Sequence, residues 1–125
     1  MKPHTPRNEF RRLVYATRNS LKGYRRVFRD EAAFRFQLAV LVLLVPLAGL
    51  LADSAFQFML LVGAWVLVLA AELGNSAIEA AVDRIGEEEH DLSAKAKVAG
   101  SAMVMTMMML TGAVWLAVLL DRLAG

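Results

Sequence analysis

Five oxygen-bearing side chains recur along one short stretch of the chain: Glu72, Asn75, Ser76, Glu79 and Asp83. At the ~100° per residue of an α-helix they share one narrow stripe, with Leu73, Ala77, Ile78, Ala81 and Val82 largely off it. Carboxylates without a His cluster, in a chain that has no cysteine, are hard ligands suited to Mg²⁺ rather than to zinc or copper. Magnesium commonly travels with phosphates, so the chemistry these groups point to is phosphoryl transfer. That reaction needs a metal on the nucleotide phosphates, a carboxylate to orient the attacking hydroxyl and a cation to neutralise charge. Lys95 and Lys97 supply cations in the first turns of the last helical segment, an unusual place for them unless an anion sits nearby. A P-loop is excluded, because Gly74, Gly86 and Gly100 are isolated and no G-x-x-x-x-G-K-[ST] occurs.

The stripe begins where a long apolar run ends. Hydrophobic residues make up 58% of the 125 positions, which moves the chain from the soluble to the membrane class. Residues 36–52, 54–71 and 98–120 carry no formal charge, and each run is near the ~20 residues that cross ~30 Å of hydrocarbon. The expected fold is an all-α membrane protein, one domain over residues 1–125, with an amphipathic surface helix at about 7–29. Membrane helices follow at about 31–52, 54–85 and 92–122. On the first helix, Phe10, Leu13, Val14, Thr17, Leu21, Tyr24 and Phe28 share one face and Arg11, Arg12, Arg18, Lys22, Arg25, Arg26 and Arg29 spread over the other. Asn19, Ser20 and Gly23 interrupt the basic side and would let a phosphate approach the backbone. The N-terminus does not read as a cleavable leader, because about 35 mostly polar residues precede the first apolar run. Residues 1–6, with Pro3 and Pro6, should be loosely held. Asp30 is expected to cap the first span, Pro46 to kink it, Gly86 to end the second, and Asp91 or Ser93 to cap the third. Glu31 has two structural readings, a place in the first turn of the span or a pair with Arg35. Glu87 and Glu88 read as solvated loop, and Met103, Met105, Met107, Met108, Met109 and Trp115 as packing and lipid contact.

Depth sharpens the reading. A helix starting near Ser54 has risen roughly 27 Å by Glu72, which places that acid at the inner edge of the hydrocarbon. Facing lipid there would cost ~2.5–3.5 kcal/mol, so Glu72 should face a protein-lined polar site. Three helices cannot wall off such a stripe alone; a neighbouring subunit is the expected missing wall, and Gly100, Ser101 and Ala102 would permit close helix approach. Ten of the fourteen Lys and Arg residues lie in the first 35 positions and none lies near Asp53. The positive-inside rule then puts the N-terminus in the cytoplasm and the C-terminus in the periplasm, in a bacterial inner membrane. A small proton-coupled transporter would place its exchange acid nearer the midplane and has no use for Glu31, Glu79 and Lys97 at one surface. A non-catalytic scaffold leaves the acids idle.

Glu72-x-x-Asn75-Ser76-Ala77-Ile78-Glu79-x-x-Val82-Asp83, with Asp30-Glu31-Ala32-Ala33-Phe34-Arg35 upstream and Glu89-His90-x-Leu92-Ser93-x-x-Ala96-Lys97 downstream, resembles the prokaryotic diacylglycerol kinase family over about residues 10 to 122. The resemblance implies a homotrimer of three-span subunits with active sites shared between them. It implies transfer of the γ-phosphoryl group of MgATP to diacylglycerol, giving phosphatidic acid, with a related branch acting on undecaprenol. By the same resemblance Glu72 is the catalytic base, Glu31 and Glu79 hold the Mg²⁺ that accompanies ATP, and Asn75 and Asp83 are active-site polar groups. Arg12, Asn19, Glu89, His90 and Lys97 join Glu31 and Glu79 in contacting nucleotide, and Ser101 joins Glu72 in contacting lipid. Three positions depart from the family pattern: Gly74 replaces a larger apolar residue, Gln37 stands where an acid is usual, and Val98 follows Lys97 where Asp is usual. The last removes a possible partner for Lys97.

Overall fold

The computed structural model describes residues 6–86 and 88–125; the expectations for residues 1–5 and for Glu87 lie outside them. Four α-helices follow one another: α1 (Pro6–Asp30), α2 (Ala32–Leu51), α3 (Ala55–Ile85) and α4 (Asp91–Ala124). The last three are long and apolar enough to cross a membrane. The chain is an all-α membrane protein.

Contacts divide it into two units, one up to Ala32 and the other from Ala33 onward. The first is α1, whose apolar side chains Phe10, Leu13, Leu21 and Tyr24 are exposed, as a helix that lies on a lipid surface requires. Its middle gives a phosphate no backbone to approach: the helix is continuous, so its interior amides are engaged with carbonyls one turn back, and the Ser20 hydroxyl donates to the Ala16 carbonyl. Asp30 does not cap the next helix as expected. It ends α1, where Arg29 Nε at 2.9 Å and Arg26 Nε at 2.7 Å occupy its carboxylate. Those bonds, Arg29's first, hold the carboxyl below the usual carboxylate range, and Asp30 in turn raises Arg29.

In the second unit α2 continues through Pro46 without a break. Ser54 opens α3: its hydroxyl accepts from the Gln57 N–H at 3.1 Å, while the Gln57 side-chain Oε1 accepts from the Asp53 N–H at 2.9 Å. Gly86 caps the far end of α3, 31 residues on. α3 and α4 form the main packed pair. Val68, Ala71 and Val104 form one core, joined by Trp65, Met103 and Met107. Ala48, Leu61 and Val118 form another, which includes α2. Between lipid-bathed helices such cores hold by close packing and hydrogen bonds rather than by release from water. Val42, Leu43, Leu50, Phe56, Met105 and Met109 point outward.

Polar bonds fasten the helices at two levels besides. Trp115 Nε1 donates to the Leu61 carbonyl at 3.1 Å, so this residue packs as expected but also anchors α4 to α3. At the C-terminal end of α2, Arg122 Nη1 donates to the carbonyls of Leu50 and Leu51, both at 2.9 Å. These are carbonyls that the end of α2 leaves without a partner further along the helix. Arg122→Ala should therefore lower unfolding stability by about 1–3 kcal/mol, read by denaturant titration in detergent micelles; an unchanged midpoint would show the clamp to be idle.

Candidate active site

The carboxylates of the stripe reach their places because α3 outlasts its own apolar run. Along it Glu72, Asn75 and Ser76 are buried, at 7%, 9% and 8% exposure, Glu79 is half-buried, and Asp83 is exposed. The face thus grades from a dry end to a wet one within three helical turns.

The dry end is built by three helices. Gln37 of α2, 3% exposed, donates from Nε2 to Glu72 Oε2 at 3.0 Å. Its backbone carbonyl accepts from Trp65 Nε1 of α3 at 2.8 Å, which fixes α2 beside the acid. Sequence reasoning marked Gln37 only as a departure from a pattern. The available signal was that Gln37 is the one side chain in residues 36–52 able to hydrogen-bond, and a lone amide in an apolar span must find a partner.

Asn75 comes next. Its Nδ2 donates to Glu79 Oε1 at 3.4 Å, a long bond that orients the half-buried carboxylate. The Asn75 oxygen lies against Gly100 of α4 so closely that a Cβ there would collide with it. Gly100, expected to serve helix approach, does so within the chain and on the site itself. Gly74 lies in a looser place, where a Cβ would stand 3.1 Å from the flexible end of Met103. Gln37 Oε1, Asn75 Oδ1 and Ser76 Oγ are buried without a partner, so the stripe presents oxygens in need of donors.

At the wet end Lys97 of α4 places Nζ 2.7 Å from Asp83 Oδ1 of α3. The carboxylate that Val98 does not supply beside Lys97 is supplied across the helix pair by Asp83. Both side chains are about half exposed or more, so the pair is weak and can yield Lys97 to a stronger anion. Beside it opens a groove of about 830 Å³, lined by Asp83, Glu88, Glu89, His90, Ser93 and Lys97 among others, within the size range of small-ligand sites. His90 caps α4, correcting the expectation for Asp91 or Ser93: its backbone is extended and its Nδ1 accepts from the Leu92 N–H at 3.1 Å.

The structure therefore joins Glu72 to Gln37, Asn75 to Glu79 and Asp83 to Lys97, and sets Asp83, Lys97, Glu89 and His90 around one groove. Ser101 is exposed on α4, next to Gly100. Arg12, Asn19 and Glu31 belong to the first unit, the two former exposed on α1 and Glu31 in the one-residue break before α2. Among the described residues no three acidic, His or Cys side chains converge as a closed metal site. Mg²⁺ needs no such cage: it takes one or two carboxylates and completes its shell with phosphate and water. Glu79, a hard oxygen donor oriented by Asn75, fits that demand.

The chain's relatives carry the same assignment. The family model for prokaryotic diacylglycerol kinase matches residues 18–119. A diacylglycerol kinase of Escherichia coli K12 is 42% identical over 106 residues, covering 85% of this chain and 87% of that protein. One from Haemophilus influenzae is 41% identical over 103 residues, 82% of this chain and 87% of the other. One from Pseudomonas aeruginosa is 40% identical over 118 residues, 94% and 96% of the two chains. With its stripe, its three apolar helices and its matched length all in agreement, the chain belongs to the prokaryotic diacylglycerol kinase family.

Proposed function

We propose that this protein transfers the γ-phosphoryl group of MgATP to the hydroxyl of diacylglycerol, releasing ADP and phosphatidic acid. The carrying observation is the buried Glu72, held by Gln37 at the lipid end of a stripe whose other end opens on a groove with Lys97 and His90. Glu72 takes the hydroxyl proton as the lipid oxygen forms its bond to the γ-phosphorus and the bond to the β,γ-bridging oxygen breaks. The diacylglycerol acceptor is supported by the printed names of relatives at 40–42% identity.

Glu79 would hold Mg²⁺, which when bound would neutralise charge on the phosphates, and the family resemblance gives Glu31 a metal role as well. Asn75 keeps the Glu79 carboxylate oriented, and Asp83 keeps Lys97 at the groove until the phosphates compete for it. Arg12, Asn19, Glu89 and His90 contact the nucleotide in this reading, and Ser101 the lipid. Glu79, a carboxylate that the chain's own helices leave only half-buried, supports a homotrimer in which a neighbouring subunit closes the stripe. The cation-rich N-terminal third supports a bacterial inner membrane location with the N-terminus and the groove on the cytoplasmic side.

Purified protein offered labelled MgATP with diacylglycerol, undecaprenol and ceramide side by side should phosphorylate diacylglycerol at least about tenfold faster than either competitor. Faster labelling of undecaprenol would move the acceptor to that lipid, and ATP-independent flux without phosphorylation would move the protein to transport. Glu79→Gln should lower kcat by about 10²–10³ and raise the Mg²⁺ concentration needed for half-maximal rate. A wild-type magnesium titration in that variant would remove Glu79 from the metal.

A further inference from the structure

Gln37 has no part in the chemistry described so far, yet it provides the hydrogen bond that Glu72 receives from another helix. We propose that Gln37 is the positioning residue of the reaction, keeping the Glu72 carboxylate aimed by donating to it from a neutral amide. This inference rests on the reading of Glu72 as the base.

The geometry supplies the reasons. Gln37 is 3% exposed and its backbone carbonyl accepts from Trp65 Nε1 at 2.8 Å, so the side chain starts from a fixed point beside Glu72. Nε2 meets Glu72 Oε2 at 3.0 Å, leaving the other carboxylate oxygen for a substrate hydroxyl. A carboxylate this buried has little water to orient it, and a donated hydrogen bond takes that part. The α4 residues packed on this part of α3 are Met103, Val104 and Met107, which bring no charge. Glu79 lies two turns along α3 itself, and Lys97 of α4 is engaged by Asp83. On α2, Arg35 lies ~200° round the helix from Gln37. The amide is therefore the group from α2 and α4 that the structure sets on Glu72.

An amide also suits both halves of a proton transfer. While Glu72 is ionised, Nε2–H donates to it. Once Glu72 has taken the lipid proton, rotation of the amide would let Oε1 accept from the new acid, and Oε1 has no bond to break in doing so.

Gln37→Met, close to glutamine in volume but without a donor, and Gln37→Asn, whose donor stands one methylene short of Glu72, test this through kcat and KM for lipid phosphorylation. Both should lower kcat about tenfold, with the KM for MgATP and the unfolding midpoint in micelles unchanged. A lowered midpoint that accounts for the loss would make Gln37 a packing residue only, and full activity would remove it from the reaction. Glu72→Gln, measured in parallel, separates the two levels. If it stays active, the base reading itself fails. If it is inert while the Gln37 variants keep the wild-type kcat, only the role of Gln37 fails.

Discussion

A carboxylate at the end of an apolar helix must either reach water or be met by a donor inside the protein, and the rest of this structure follows from the second choice. Glu72 is buried, so a donor has to come from another helix, and Gln37 brings it. Gln37 can do so only if α2 stays beside α3, which the indole of Trp65 secures through the Gln37 carbonyl. The far end of α2 is secured by Arg122. Helices bathed in lipid have little hydrophobic drive to associate, so these few directed bonds set their register.

From that fixed acid outward the site changes solvent rather than chemistry. Oxygens continue along the same face of α3, first buried, then half-buried, then exposed. The helix partner changes with them. Gly100 clears space for Asn75 where the face is dry, and Lys97 answers Asp83 where it is wet. Lipid and nucleotide differ in the same sense, and a single straight element presents a group suited to each without a hinge or a separate domain. The wet-end ion pair is weak because it is exposed, which is what a cation that must exchange partners requires.

The stripe and the helices that carry it were legible in the sequence, because both are written in local periods: 3.6 residues for the face, ~20 apolar residues for a span. The end of α3 at Gly86 was legible for the same local reason. What escaped depends on backbone angles or on residues far apart in the chain. Asp91 and Ser93 are good capping types, but the extended backbone falls at His90, whose ring nitrogen then takes the role. Asp30 looked like a cap until Arg26 and Arg29, on its own helix, claimed its carboxylate. The loss at Val98 looked unrepaired because Asp83 is fourteen positions from Lys97 in the chain and 2.7 Å from it in space. Gln37 is 35 positions from Glu72, and no pattern shorter than the fold relates them.

The central claim is that Glu72 acts on the lipid hydroxyl and not on the nucleotide. Titration of MgATP onto Glu72→Gln in lipid nanodiscs, with turnover on diacylglycerol measured in the same preparation, separates the two most directly. The account predicts nucleotide affinity within about twofold of wild type and a turnover reduced by at least about 10²–10³. Turnover close to wild type, or a loss of nucleotide binding that accounts for the whole defect, would contradict it.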